Sequence, residues 1–121
     1  MAVTVTNQSN PLGSKVVQDT SAGNTAVDNA TGASGTLYAA EVDNTANGSA
    51  VYFKLANTTN ATAGTTAADM VLMCPANTKM NYVFLGGIAF SAGFSHWCVT
   101  SATESNTTAP GSAVVARYVT S

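Results

Sequence analysis

The chain has 121 residues, a formal net charge of −2, and only 8% charged residues, against roughly 25% in an average soluble domain. This length suits one compact domain, and the four Lys and Arg residues are scattered, so we expect neither a nucleic-acid partner nor a membrane partner. Polarity comes mainly from Thr, Ser and Asn. Low charge indicates a protein that is held in an assembly, because little repulsion would keep free copies apart in solution. A secreted or surface β-domain is the alternative interpretation.

Short runs rich in β-branched and aromatic residues recur along the chain, separated by turn residues, and helical periodicity is absent. In chain order, strands are predicted at Ala2–Thr6, Lys15–Gln18, Thr36–Val42, Ala50–Ala56, Met70–Cys74, Lys79–Phe84, Phe94–Thr100 and Ala113–Val119. We therefore predict an all-β fold, an antiparallel and jelly-roll-like β-sandwich of about eight strands with an extended N-terminal arm.

The connecting segments divide the chain. Asn47-Gly48 predicts a hairpin, and Gly86-Gly87 predicts a strand break or a bulge. Residues 19–34 and 57–68 lack large apolar groups and are interpreted as loops or, for the first, an arm ordered by a neighbour. We expect residues 1–35 to be an N-terminal arm, or edge strands with a flexible loop, and residues 36–121 to be the β-sandwich domain. The predicted core residues are Val51, Phe53, Leu55, Val71, Met73, Val83, Leu85, Ile88, Phe90, Phe94, Trp97, Val99, Val114 and Val119.

The only histidine lies in the run Ser95-His96-Trp97-Cys98. In a strand, His96 and Cys98 share a face but lie about 7 Å apart, too far for a direct hydrogen bond between nucleophile and base. One histidine and the two cysteines, Cys74 and Cys98, match no zinc-ligand spacing. Without an export signal at the N-terminus, both thiols are expected to be reduced, although a disulfide stays open if their strands face each other.

Two carboxylates, Glu41 and Asp43, lie two residues apart on a predicted strand, the spacing of a possible glycosidase pair. We interpret them instead as a solvated strand edge, where charge prevents unwanted pairing. The sequence therefore predicts no catalytic residue, no cofactor and no metal site, and the protein is not expected to be an enzyme.

The second half of the chain resembles a family of small bacteriophage virion proteins. The matching segments are Tyr52-Phe53-Lys54-Leu55, Thr65-Thr66-Ala67-Ala68-Asp69, Pro75-Ala76, Gly86-Gly87-Ile88-Ala89-Phe90-Ser91-Ala92-Gly93 and Thr107-Thr108-Ala109-Pro110. The resemblance implies a β-sandwich found in phage particles as a capsid decoration (cement) subunit, or in neck, knob or fibre positions. It carries no catalytic residues.

The resemblance and the composition together give a functional expectation. The chain is expected to be a capsid decoration protein that binds the major capsid protein on the exterior of a virion assembled in the bacterial cytoplasm. It is expected to stabilise the shell by bridging neighbours, to self-associate as a homotrimer, and to use residues 1–34 as its contact arm. A tail, neck, knob or fibre component is the first alternative, and a carbohydrate-binding module using Trp97 and the tyrosines is the second.

Overall fold

The fold is given by a computed structural model that describes residues 13–121. These residues form seven β-strands and no helix. The strands are β1 (Lys15–Ala22), β2 (Gly35–Asp43), β3 (Val51–Asn57), β4 (Met70–Cys74), β5 (Lys79–Phe90), β6 (Phe94–Val99) and β7 (Val114–Thr120). Each corresponds to a strand predicted from the sequence, and the eighth predicted strand, Ala2–Thr6, lies outside the described residues.

The strands form two antiparallel sheets that pack on a common core. One sheet has four strands in the order β1-β7-β2-β5, and the other has three in the order β4-β3-β6. The predicted all-β antiparallel sandwich is thereby confirmed. β7 alternates between the core and the outside, since Val114, Ala116 and Tyr118 are buried and the residues between them are only half-buried, whereas β6 is buried on both faces.

The core is built from the inner faces of both sheets. Its buried members include Leu37, Val42, Val51, Phe53, Leu55, Leu72, Phe90, Phe94, Val114 and Tyr118. The core prediction was right for most of its aromatic and β3 members. It was wrong for Val71, Met73, Val83, Leu85 and Ile88, which are exposed, and for Val119, which is only half-buried, because hydrophobicity alone does not say which face of a strand is covered.

Residues 23–30 leave β1 and run beside β6 on the opposite sheet. The Cys98 N–H donates to the Gly23 carbonyl (2.8 Å), Val27 forms a β-bridge with His96, and the Ala30 N–H donates to the Phe94 carbonyl (2.7 Å). The segment therefore covers the free edge of β6, although it lacks large apolar groups. The division of the chain at residue 35 stays a prediction, since the residues before Gly13 lie outside the described part.

The connection between β2 and β3 crosses from one sheet to the other, so the hairpin predicted from Asn47-Gly48 was wrong. Asn44, which is buried, turns the chain at this point. Its amide donates to the carbonyls of Ser49 (2.9 Å), Cys74 (3.3 Å) and Pro75 (2.9 Å). A buried amide with these partners satisfies carbonyls that would otherwise be left unpaired in the crossing.

β5 contains the bulge that Gly86-Gly87 predicts. Leu37 pairs with Ile88 and Ala39 pairs with Val83, so residues 84–87 project from the ladder opposite Tyr38 alone. Gly86 and Gly87 have φ angles of 78° and 77°, in the left-handed region that residues with a Cβ adopt only at a cost. Glycine at both positions therefore lets the strand form this bulge without the backbone strain that another residue would suffer.

Candidate docking surface

An apolar row crosses the outside of the four-stranded sheet. It is made of directly paired residues: Val16 on β1 pairs with Val119 on β7, Val119 with Ala39 on β2, and Ala39 with Val83 on β5. Val16 is 67% exposed and Val83 is 72% exposed. The row lines a shallow depression of about 250 Å³. We call this side of the sheet the outer face.

Leu85 extends the apolar row at the bulge. It is 95% exposed, which is unusual for a residue whose burial is worth roughly 1.5–3 kcal/mol. In the same bulge, Gly87 lies so close to the Thr36 side chain that a Cβ at this position would collide with it. Leu85 lies in the bulge between Val83 and Ile88, which are also exposed.

A row of polar residues lies beside the apolar row, and its charged side chains are paired with one another. Gln18, Arg117, Glu41 and Asn81 are paired in that order across β1, β7, β2 and β5. Arg117 Nη1 donates to Glu41 Oε1 at 2.8 Å, and Arg117 Nε donates to Gln18 Oε1 at 3.1 Å. Lys79 Nζ lies 3.7 Å from the same Glu41 oxygen. The outer face therefore combines exposed apolar groups with charges that already have partners.

Glu41 and Asp43 share the outer face, as the spacing predicts, but the interpretation as a strand edge was wrong. Their strand, β2, lies between β7 and β5 in the interior of the sheet. Asp43 accepts hydrogen bonds from the Thr45 N–H (3.0 Å) and hydroxyl (2.6 Å), and these bonds hold the pKa of its carboxyl below the usual range. Glu41 therefore takes part in ion pairs, and Asp43 stabilises the turn that follows β2.

The histidine lies in the core, where it joins the two sheets. His96 Nε2 is 2.8 Å from Asp19 Oδ2, and His96 Nδ1 is 2.9 Å from the Tyr118 hydroxyl. Because a carboxylate only accepts, Nε2 carries the proton and the Tyr118 hydroxyl donates to Nδ1. Burial lowers the pKa of His96, and the Asp19 carboxylate opposes that effect.

The Asp19–His96–Tyr118 network is surrounded by packed core side chains. His96 is 1% exposed and its ring packs against Phe53, with centroids 5.2 Å apart. Cys98 shares the inner face with His96, as predicted, but the imidazole is bonded to Asp19 and Tyr118. Burial raises the pKa of the Cys98 thiol to about 12, so no nucleophile and base pair is formed there.

Cys74 is also buried, and neither cysteine is in a disulfide. Its thiol donates to the carbonyls of Val42 (3.4 Å) and Thr78 (3.2 Å), and burial raises its pKa. Among residues 13–121, no three His, Cys, Asp or Glu side chains come together in a group that could hold a metal ion.

Polar loops cover β6 on the opposite side of the sandwich, whereas Val71 and Met73 on β4 are exposed there. Trp97 and Val99 on β6 lie under alanines of these loops, among them Ala61 and Ala63. Trp97 is 1% exposed, so it offers no stacking platform for a sugar. Lys54 on β3 is equally buried. Its ammonium donates to the Thr103 carbonyl at 2.9 Å, which attaches the loop between β6 and β7 to β3.

The sequence did contain a signal for the outer face. β7 is apolar on both faces, since Val115 and Val119 alternate with Val114 and Ala116, and β5 carries Val83 and Leu85 beside Tyr82 and Phe84. In a two-layer sandwich only one face of each strand meets the core. A strand that is apolar on both faces therefore leaves one apolar set outside.

In the described part of the chain, no helix has the length and hydrophobicity needed to cross a bilayer. The chain matches no protein-family model, no curated protein and no solved structure. The assignment of a role therefore depends on the surfaces described above and on the resemblance stated from the sequence.

Proposed function

We propose that the protein is a structural component of a phage particle and acts as a capsid decoration subunit. The observation that supports this most directly is the apolar row of the outer face with Leu85 at its end. Contiguous exposed apolar groups mark surfaces that bind other proteins, and here they occur on a chain whose buried thiols and imidazole are engaged in the core. The partner is the shell of the major capsid protein on the particle exterior.

The mode of action is stabilisation by binding. A ligand that binds only the assembled shell stabilises it in proportion to occupancy, and many weak contacts repeated around a symmetric lattice combine into avidity. A small sandwich with one adhesive face and few unpaired charges suits this task. It supplies contact area without needing an oppositely charged partner.

The composition of the particle tests the proposal first. Mass spectrometry of purified particles of the encoding phage should find the chain in hundreds of copies per particle. About a dozen copies would place it in the tail or neck instead, and absence from the particle would refute a virion role altogether.

Adding the protein back to particles that lack it tests the contribution of the outer face. The wild-type protein should bind and raise the temperature at which the particles lose their DNA. Val83→Asp should weaken binding by about tenfold or more, because a charge then enters an apolar contact. Val71→Asp, at an exposed position of β4 on the other sheet, is the matched control and should bind normally.

A further inference from the structure

We infer that the outer face binds a second copy of the same chain, related by a twofold axis that runs parallel to the strands between β7 and β2. This inference goes beyond the proposed function, since it names what covers the apolar row in the free protein, before the shell binds the same face. It depends on the pairing pattern of the outer face, and the twofold contact can exist whether or not the chain belongs to a virion.

The order of residues across the sheet makes the face complementary to itself. Such an axis places β7 of one copy opposite β2 of the other, and β1 opposite β5. In the apolar row, Val16 then meets Val83 of the second copy, and Val119 meets Ala39. Each exposed apolar side chain of the row covers another, which is the self-complementarity that an isologous interface requires.

The polar row is complementary under the same operation. Arg117 faces Glu41 of the second copy, and Gln18 faces Asn81. Arg117 and Glu41 are already paired within each chain at 2.8 Å, so the facing pairs produce a four-membered arrangement of alternating charge. Lys79 and Asp43, which are also paired across the sheet, bring the formal charge of the outer face to zero. Two copies can therefore meet without like-charge repulsion.

The available area sets the strength of this contact. Four strands about 4.8 Å apart, with roughly five residues each at about 3.4 Å, give a face of roughly 300 Å². A stable interface buries about 800 Å² on each partner. The outer face falls well short of that area, so the pair should form only at high concentration in solution.

The oligomeric state in solution tests the inference directly. Sedimentation velocity of the wild-type protein between about 5 and about 500 µM should show a reversible shift from monomer to dimer. Val16→Asp and Val83→Asp should each reduce association at least tenfold, and Val71→Asp should leave it unchanged. A monomer throughout, a trimer such as the one expected from the family resemblance, or equal association in all variants would overturn the twofold contact.

A charge exchange tests the facing pairs. The variant Arg117→Glu with Glu41→Arg, made together with Lys79→Gln so that no lysine lies beside the new arginine, keeps opposite charges within the chain and between two copies of itself. In a mixed pair with the wild-type chain, however, arginine meets arginine and glutamate meets glutamate. Native mass spectrometry of the mixture, with one chain carrying a mass tag, should show both homodimers and few heterodimers. Free mixing of the two chains would show that the polar rows do not face each other.

The two proposals fail separately. Dimers that form as described, from a chain that is absent from the particle, would refute the virion role and leave the twofold contact intact. A chain that is abundant in the particle but stays monomeric at every concentration would refute the twofold contact and leave the virion role intact.

Discussion

The Asp19–His96–Tyr118 network predicts how the stability of the fold depends on pH. Burial lowers the pKa of His96 from the ordinary value of 6.5, so between 6.5 and that lower value the unfolded chain binds a proton that the folded chain does not. Stability conferred by the neutral imidazole is therefore complete above pH 6.5 and is lost as the pH falls. The loss is at most about 1.4 kcal/mol per pH unit, and it stops once the folded imidazole is protonated.

Removing Asp19 gives the magnitude of the network itself. Asp19→Ala leaves the Nε2–H of a ring that is 1% exposed without its acceptor, which costs about 1–3 kcal/mol. It also removes the carboxylate that supports protonation of His96. We expect the variant to be less stable at neutral pH and to continue losing stability at pH values where the wild type has levelled off.

Urea denaturation between about pH 8 and about pH 5, followed by the fluorescence of the buried Trp97, measures both effects. His96 is the only histidine, so no other imidazole contributes in this range. His96→Gln, which does not titrate, is the control and should give a nearly constant free energy of unfolding. A wild-type stability that stays level or rises between about pH 6.5 and about pH 5 would refute the reasoning.

Three further predictions concern other parts of the fold. Lys54→Met should lower the free energy of unfolding by about 1–3 kcal/mol, because the Thr103 carbonyl loses its donor; an equally stable or more stable variant would contradict this. Gly87→Ala should destabilise by more than the roughly 1 kcal/mol expected for Gly86→Ala, since both have positive φ but only Gly87 lacks room for a Cβ, and thermal denaturation ranks the two. Neither Cys74 nor Cys98 should react with a thiol reagent in the folded protein, and both should react in urea, because burial raises both pKa values; rapid labelling of either in the native state would disprove it.

The strands could be predicted from the sequence because their signals are local. Alternating side chains and turn residues place each strand within a few positions, and β4 was predicted with its observed bounds, Met70–Cys74. The Asn47-Gly48 prediction failed because the same turn residues serve a crossing between sheets, where Asn44 supplies the necessary donors. Turn chemistry indicates that the chain changes direction, but it does not say which strand comes next to which.

The apolar residues on both faces of β5 and β7 signal an exposed apolar set, but the arrangement of the docking surface could not be predicted because it is assembled from distant parts of the chain. Val16 and Val119 become neighbours only through the pairing of β1 with β7, and sheet order is not encoded in any one segment. Val83 and Leu85 were assigned to the core because they are apolar. The same long-range pairing produces the His96 network, whose Asp19 partner lies 77 residues away in the chain.

The two sides of the sandwich differ in a way that matters for whatever surrounds the protein. If the strand side is occupied by neighbours, the loops above Trp97 become the visible exterior, and they are rich in hydroxyl and amide groups with few ions. Such a surface is well hydrated and offers few charges to which other charged molecules could bind. A particle covered in this way would have a hydrated, almost uncharged surface. Its interactions with other molecules should depend little on ionic strength.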